Sequence, residues 1–511
     1  MIVFKSNIIV IFASQHVKNI PTMNNETFYD IFHQLNNTPR PSHHEERVAD
    51  YLCNFAESHG LRYRRDAQNC VVIEKDATPG HENAEPVVIL NHMDMVCVAK
   101  DGYLRDGHPF DPLNDEIRPC IEIVKNPDGT ESRWMKAEGT SLGADNGMGL
   151  SMALAILAND SIVHGPLEVL TTTNEEDGMS GAEALSTDFI RGRKVINLDS
   201  EAYNEITVGA AGAYLQIAHF EADWKPIPEG YVFRRIVIDG GLGGHSGVDI
   251  NKGRCHANKE ICHFINDLAD KDILICAING GTANASISSV AEVVLAIRPE
   301  NGNALANAAA EYNAMLQKEY AQTDAAINMR CEEAEPRKQY LGNASDIMQA
   351  VEELPAGMIA MREDMPGTVM TSNNAGRICT DANEVSISCH SRSFSNEEMR
   401  RLGQGITETF KKHGAKNVQL LMDTPAWVER PDSPLLALTC QTFKDVLGFE
   451  PKKVAMHFVL EAAYYVQKYP GVEIASIGPL IIEPHSTSER VNLDTADDIW
   501  KVTVELLKRL A

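Results

Sequence analysis

The run Val87-Val88-Ile89-Leu90 is wholly apolar and leads directly into Asn91-His92-Met93-Asp94. Apolar residues without polar alternation mark a strand buried on both faces, the condition of a central strand in an α/β sheet. Leu167 to Thr173 and Val195 to Leu198 read as further strands, and an apolar-rich helix over 146–158 separates the first strand from the second. Glu473 to Ile477 supplies a late buried strand. This alternation predicts an α/β fold with a mostly parallel sheet.

The residues just past these strands carry the chemistry. Ligands of open parallel sheets bind beyond the carboxyl ends of the strands. His92 ends the first run, and the i, i+2 spacing puts Asp94 on the same side, where it can take the second imidazole N–H and fix the tautomer. Thr173-Asn174-Glu175-Glu176-Asp177 places consecutive acids at a strand end, where they repel one another unless a cation neutralises them. Asp199 ends the third strand, and His485 follows the last. Ser141-Leu142-Gly143-Ala144-Asp145-Asn146-Gly147 is glycine-rich and opens a helix. Taken singly, Asp145 reads equally well as a helix N-cap and the acids as a solvated turn. Taken together, His and carboxylate donors without Cys match catalytic zinc, and a two-metal centre needs about five protein ligands with one shared carboxylate. Of two adjacent Glu residues, one can bind metal while the other moves a proton.

Residues 25–60 read as two helices separated by Pro39 and Pro41, with Ser42 and Glu45 in a capping-box pattern that starts the second. His43 and His44 read as surface residues. After about residue 209 the pattern changes to strands with polar alternation, as in Tyr231 to Asp239, with helical segments near 256–269 and 396–413. The stretch from about 209 to 424 reads as a weak duplication of one small α/β unit, an antiparallel sheet with helices on one face. A helix over 434–447 returns the chain to the first pattern. The expected layout is a catalytic domain in two parts, 23–208 and 425–511, interrupted by an inserted domain at 209–424.

Composition excludes some functions. The 511 residues carry 46 Lys plus Arg against 72 Asp plus Glu, a formal charge of −26, which argues against nucleic acid as a partner. The 11 Cys include no CxxC pair and read as free thiols of a reducing compartment. No apolar run reaches the roughly 18 residues of a membrane span, so no membrane association is expected. Residues 1–22 make a poor signal peptide, because the short run Ile8 to Ala13 abuts the polar Asn7. They are expected to be a disordered leader or a mis-assigned start ahead of Met23.

Several motifs carry a resemblance: Pro41-Ser42-His43-His44-Glu45-Glu46, Asn91-His92-Met93-Asp94-Met95-Val96, Leu142-Gly143-Ala144-Asp145-Asn146-Gly147, Glu175-Glu176-Asp177-Gly178-Met179-Ser180-Gly181-Ala182 and Gly243-Gly244-His245-Ser246-Gly247. On these the chain resembles, from about residue 26 to its C-terminus, the co-catalytic zinc peptidases that include carboxypeptidase G. Within them it is similar to the aminoacyl-histidine (Xaa-His, cytosolic non-specific) dipeptidases. The resemblance implies a zinc-peptidase catalytic domain with an inserted α+β lid and dimerisation domain, a homodimer in the cytoplasm, and hydrolysis of short peptides with two Zn²⁺ per subunit (Co²⁺ or Mn²⁺ as substitutes). It implies that His92 and Asp199 hold one ion, Glu176 and His485 the other, and that Asp145 bridges them. Glu175 would be the general base and then the acid to the leaving amine, with Asp94 orienting His92. His245 would reach the reaction oxyanion, Arg392 would grip the substrate carboxylate, and Asn284 would be a second substrate contact. These substrate residues sit on the inserted domain, which implies a site completed when the domains close. An amidohydrolase acting on N-acyl amino acids is the alternative, since it uses the same centre. One segment departs from the pattern: bulkier residues replace the glycine after the histidine in His457-Phe458-Val459-Leu460-Glu461, which puts a preference for His-containing dipeptides in doubt.

Overall fold

The computed structural model describes residues 26–268, 272–428, 430 and 432–511. The expectation for 1–22 falls outside them. The described residues divide into two compact units: those up to 208 with those of 429–454 and 464–511, and those of 209–428 with 455–463. The segment 455–463 thus groups with the second unit. The physical reason is local: within the second unit, the His457 ring pairs with Ser372.

The first unit is built on an eight-stranded sheet in the order Arg62–Arg65, Val71–Lys75, Leu167–Thr172, Val87–His92, Lys194–Asn197, Glu473–Ser476, Glu205–Ala210, Lys452–Met456. Val87–His92 runs parallel to the strands on either side, and Lys194–Asn197 runs parallel to Glu473–Ser476. The apolar strands therefore form a parallel centre with antiparallel neighbours outside it. Every residue of Val87–His92 and Leu167–Thr172 is buried; the second strand includes the charged Glu168, whose carboxylate accepts from Arg191 and from the Gly192 N–H. The helix Ala144–Ala158 is buried almost all round, consistent with its Ala, Leu and Met content. Leu493–Leu510 closes the unit as an amphipathic helix, capped by the Asn492 side chain on the Thr495 N–H.

The helices expected over 25–60 are Glu26–Asn36 and Glu46–Ser58. The capping-box expectation is corrected. Glu46–Ser58 has no side-chain cap. Ser42 Oγ instead donates to the Asp94 carboxylate at 2.7 Å, and the Glu45 carboxylate accepts the backbone N–H of His43 at 3.1 Å and of Asn174 at 2.9 Å. Long-range acceptors outcompete the local cap.

The second unit is a nine-stranded antiparallel sheet. Its order resolves into two copies of a βαββαβ motif. One copy runs Val232–Asp239, Ala257–Asn266, Leu274–Gly280, Ala291–Ile297, Gly302–Glu319, Asn328–Glu333, with its strands ordered fourth, first, third, second. The other runs Gly212–Glu221, Ala344–Glu353, Val369–Thr380, Glu384–Ser393, Asn396–Lys412, Asn417–Thr424, with the mirror order. The first copy is inserted after the first strand of the second, and the copies meet where Leu274–Gly280 pairs with Val369–Thr380. Residues of all four helices, among them Ile261, Leu305, Ile347 and Phe410, share one core with one face of the sheet.

Candidate metal centre and substrate face

In the first unit, His92 ends one parallel strand, Glu175 and Glu176 follow Leu167–Thr172, Asp199 follows Lys194–Asn197, and His485 lies beyond Glu473–Ser476. The structure brings His92, Glu176, Asp199 and His485 together around Asp145. One Asp145 oxygen lies 3.1 Å from His92 Nε2, which is also 3.2 Å from Asp199. The other Asp145 oxygen lies 3.2 Å from His485 Nε2, which is 2.8 Å from Glu176. His92, Asp145 and Glu176 offer ligand atoms within 4.8 Å of one another.

The donor set fits divalent cations. Two donors at about 2.1 Å from a tetrahedral zinc are separated by roughly 3.4 Å, close to the spacings found here. Glu176 Oε1 is buried without a hydrogen-bond partner among the described residues. The protonation pattern adds to this. Burial pushes Asp199 up to about 6 and Glu201 up to about 8, with Asp145 adding to both. Hydrogen bonds to Asp145 and Glu176 raise His485 to about 11. For His92, burial opposes ionisation, but Asp199 and its other carboxylate partners raise the pKa well above the ordinary range. The carboxylates thus demand positive charge, and two imidazolium ions supply it where cations are not bound.

Each segment that carries a candidate ligand is held from behind. His92 Nδ1 is 3.1 Å from the Asp94 carbonyl and 3.5 Å from its carboxylate. That carboxylate also accepts the backbone N–H groups of Glu175 at 3.1 Å and Glu176 at 3.2 Å. The preceding residue, Asn174, has φ 56°, a left-handed conformation that Asn tolerates. Asn146 follows Asp145 through a cis peptide and donates to the Leu198 carbonyl at 2.8 Å and to Asp199 at 2.5 Å. The buried Arg40 donates to the carbonyls of Met93, Asp94 and Gly143. Sequence reasoning missed Arg40, Asn146, Glu201 and Glu489; of these, the position of Glu201 two residues after Asp199 was a usable signal.

The remaining candidates lie in the second unit. Ser246 N–H donates to the Ala285 carbonyl and Ile287 N–H to the Gly244 carbonyl, so the loop of His245 is clipped to the loop of Asn284. Gly244 has φ 120°, and a Cβ there would meet the Asp249 carboxylate, so glycine is required. His245 Nδ1 accepts from the backbone N–H groups of Gly247 and Val248, both at 3.2 Å. This places the ring proton on Nε2, and burial lowers the pKa, keeping the ring neutral. Arg392 lies on Glu384–Ser393, 2% exposed, with Nη2 3.4 Å from Ser246 Oγ. The Asn284 carbonyl accepts from Asn374 Nδ2 at 3.1 Å.

Comparison with known proteins gives a consistent picture. A family model described as a peptidase dimerisation domain matches residues 238–324, most of the inserted βαββαβ copy. The chain is 32% identical over 488 residues to the cytosol non-specific dipeptidase of Escherichia coli (strain K12), covering 95% of this chain and 98% of that one. The crystal structure of aminoacylhistidine dipeptidase from Vibrio alginolyticus superposes with a TM-score of 0.83 at 32% identity, covering 96% of this chain and 97% of that one. A tripeptidase from Staphylococcus aureus shares the fold, with a TM-score of 0.57 at 14% identity over 95% and 98% of the two chains. Among the described residues no helix is long and apolar enough to cross a membrane.

Proposed function

The chain belongs to the M20 family of metallopeptidases, among the cytosol non-specific and aminoacylhistidine dipeptidases, and from that premise we propose that it hydrolyses dipeptides at a dinuclear zinc centre. The observation that carries the reading is the division of the Asp145 carboxylate, one oxygen toward His92 and Asp199 and the other toward His485 and Glu176. In the proposal, His92 and Asp199 hold one cation, Glu176 and His485 the other, and Asp145 bridges them. Bound there, the cations would supply Lewis acidity for the attacking water and the scissile carbonyl.

Glu175 takes the proton from that water and returns it to the departing amine. Its backbone N–H, fixed by the Asp94 carboxylate, aims the side chain. Asp94 holds the His92 ring in the tautomer whose Nε2 is free to ligate. His245, neutral and protonated on Nε2, donates to the oxygen on which charge develops. Arg392 selects a free carboxy terminus, and Asn284 is a second substrate contact.

The proposal extends to residues 209–424 as an inserted lid and dimerisation domain, to a homodimer, supported by the dimerisation-domain match, and to a cytoplasmic location, supported by the name of the Escherichia coli relative. The test is a dipeptide panel, with carnosine-type members and N-acetylated counterparts, run with zinc, cobalt and manganese alongside metal analysis. Cleavage of free-amine dipeptides with about two metals per chain is expected. Preference for N-acyl amino acids would move the assignment to a deacylase, and full activity after chelation would remove the metal centre from it.

A further inference from the structure

His457-Phe458-Val459-Leu460-Glu461, the segment with bulkier residues in place of glycine, belongs to the second unit and packs on the loop of His245. A Cβ on Gly247 would collide with the His457 carbonyl oxygen, so the two backbones touch. His457 is itself anchored. Its Nε2 lies 2.8 Å from Ser372 Oγ, and the ring also hydrogen-bonds the Val369 backbone. The next side chain, Phe458, reaches His245. The ring centroids are 6.0 Å apart and the planes meet at 83°, an edge-to-face pair within the favoured range.

His245 needs such a neighbour. Its Nδ1 accepts from the Gly247 and Val248 N–H groups at 3.2 Å, the long end of the hydrogen-bond range. Those bonds settle which nitrogen carries the proton. They grip one atom next to the Cβ–Cγ bond and do little to stop the ring turning about it, and that torsion of His has broad wells. Gly247, Val248 and Phe458 border a recess of about 170 Å³, room into which the imidazole could turn. A perpendicular aromatic ring blocks the turn by contact and favours one plane through its quadrupole. For a donor to an oxyanion the direction matters, because the N–H has to aim at the place the oxygen takes up in the transition state.

We infer that Phe458 is a positioning residue for the reaction: it sets the plane of the His245 ring and so aims the Nε2–H. The inference rests on the reading that His245 donates to the oxygen on which charge develops. It adds to that reading the side chain by which the donor is held. The bulk at position 458 thereby has a function, since a glycine there would leave that side of His245 open. His457, pinned by Ser372 and Val369, keeps Phe458 in place.

The experiment is a double-mutant cycle on the metal-loaded enzyme with one dipeptide, kcat and KM being measured separately. Phe458→Ala is expected to lower kcat about two- to tenfold, the worth of one aromatic pair. KM and metal content should stay near wild type, because the donor acts in the transition state and not in substrate binding. Phe458→Leu keeps most of the volume and should lower kcat by less; it carries the same test if the Ala variant does not fold. In the His245→Ala background neither substitution should change kcat further, since a residue that acts only through His245 has nothing left to aim. Losses by the same factor in both backgrounds would overturn the inference, because they would mark a merely structural role. Wild-type kcat in both Phe458 variants, with His245→Ala slow, would overturn it as well and leave the His245 reading standing. Wild-type kcat in His245→Ala would instead sink the reading on which the inference rests.

Discussion

Glu489 holds the backbone that carries Asp145. One of its carboxylate oxygens accepts the N–H groups of Leu142 at 2.7 Å and Gly143 at 2.9 Å, and the other accepts those of Ala144 at 2.8 Å and Asp145 at 3.4 Å. The residue is buried at 2% exposure. The proposed bridging ligand is therefore positioned by a carboxylate more than three hundred residues away in sequence, and Arg40 braces the same turn through the Gly143 carbonyl.

Replacing Glu489 with Gln would turn an NH₂ group toward backbone N–H groups that need an acceptor. Each unsatisfied buried donor costs about 1–3 kcal/mol. Loss of a group that orients a ligand typically lowers metal affinity by about 10–100-fold. Glu489→Gln is expected to show both, as a lower Tm and as weaker zinc retention against a competing chelator. Wild-type retention would show that the turn keeps its shape without this carboxylate.

Asp94 serves two segments at once: it faces His92 Nδ1, and it accepts the Glu175 and Glu176 N–H groups. Asp94→Ala should lower metal affinity by about 10–100-fold and also reduce kcat at saturating metal, because the Glu175 backbone loses its anchor. Ser42→Ala, which removes the 2.7 Å hydrogen bond to the same carboxylate, should move both in the same direction by less. Titrating zinc into each variant while following turnover separates the two effects. Full recovery of kcat by excess zinc in Asp94→Ala would confine its role to His92.

The sheet could be read from the sequence because burial on both faces leaves a local mark, as in Val87-Val88-Ile89-Leu90, and because ligand positions follow strand ends by a general rule. The duplication in the second unit left only weak traces, since one βαββαβ copy is nested in the other and strand order is not a local property. The bracing of the centre left none. Glu489, Arg40 and Asn146 act across gaps of tens to hundreds of residues, and no spacing rule marks them. Ser42 and Glu45 misled for the converse reason: they fit a local capping pattern, but their side chains are drawn off to Asp94 and to the Asn174 N–H.

Glu175→Gln should separate proton transfer from metal binding. The amide keeps the shape of the side chain but cannot take a proton, and general acid–base catalysis contributes about 10²–10⁴-fold. The variant is expected to lose at least that much in kcat while elemental analysis finds its metal content unchanged. Near-normal turnover would reject Glu175 as the proton carrier. Loss of metal would mean that it ligates instead.

Removing the metal should make stability fall as pH rises. The folded-state pKa of His485 is raised from 6.5 to about 11 by Asp145 and Glu176, and that of Glu201 from 4.5 to about 8 by burial and then Asp145. In both cases the folded state binds the proton more tightly than the unfolded state does. The His485 contribution is full below about pH 6.5 and is lost as pH climbs toward about 11. The Glu201 contribution is full below about pH 4.5 and is lost by about pH 8. Between pH 6.5 and 8 the two act together, so the Tm of the chelator-treated protein should decline across that interval. Zinc opposes the trend, because its ligands must be deprotonated to bind and its affinity rises with pH. At a free concentration of about a hundred times Kd it adds roughly 2.7 kcal/mol. The Tm gained on adding zinc is therefore expected to be larger at pH 8 than at pH 6.5 in paired thermal melts. An equal gain at both values would mean that protons and metal do not compete for these side chains.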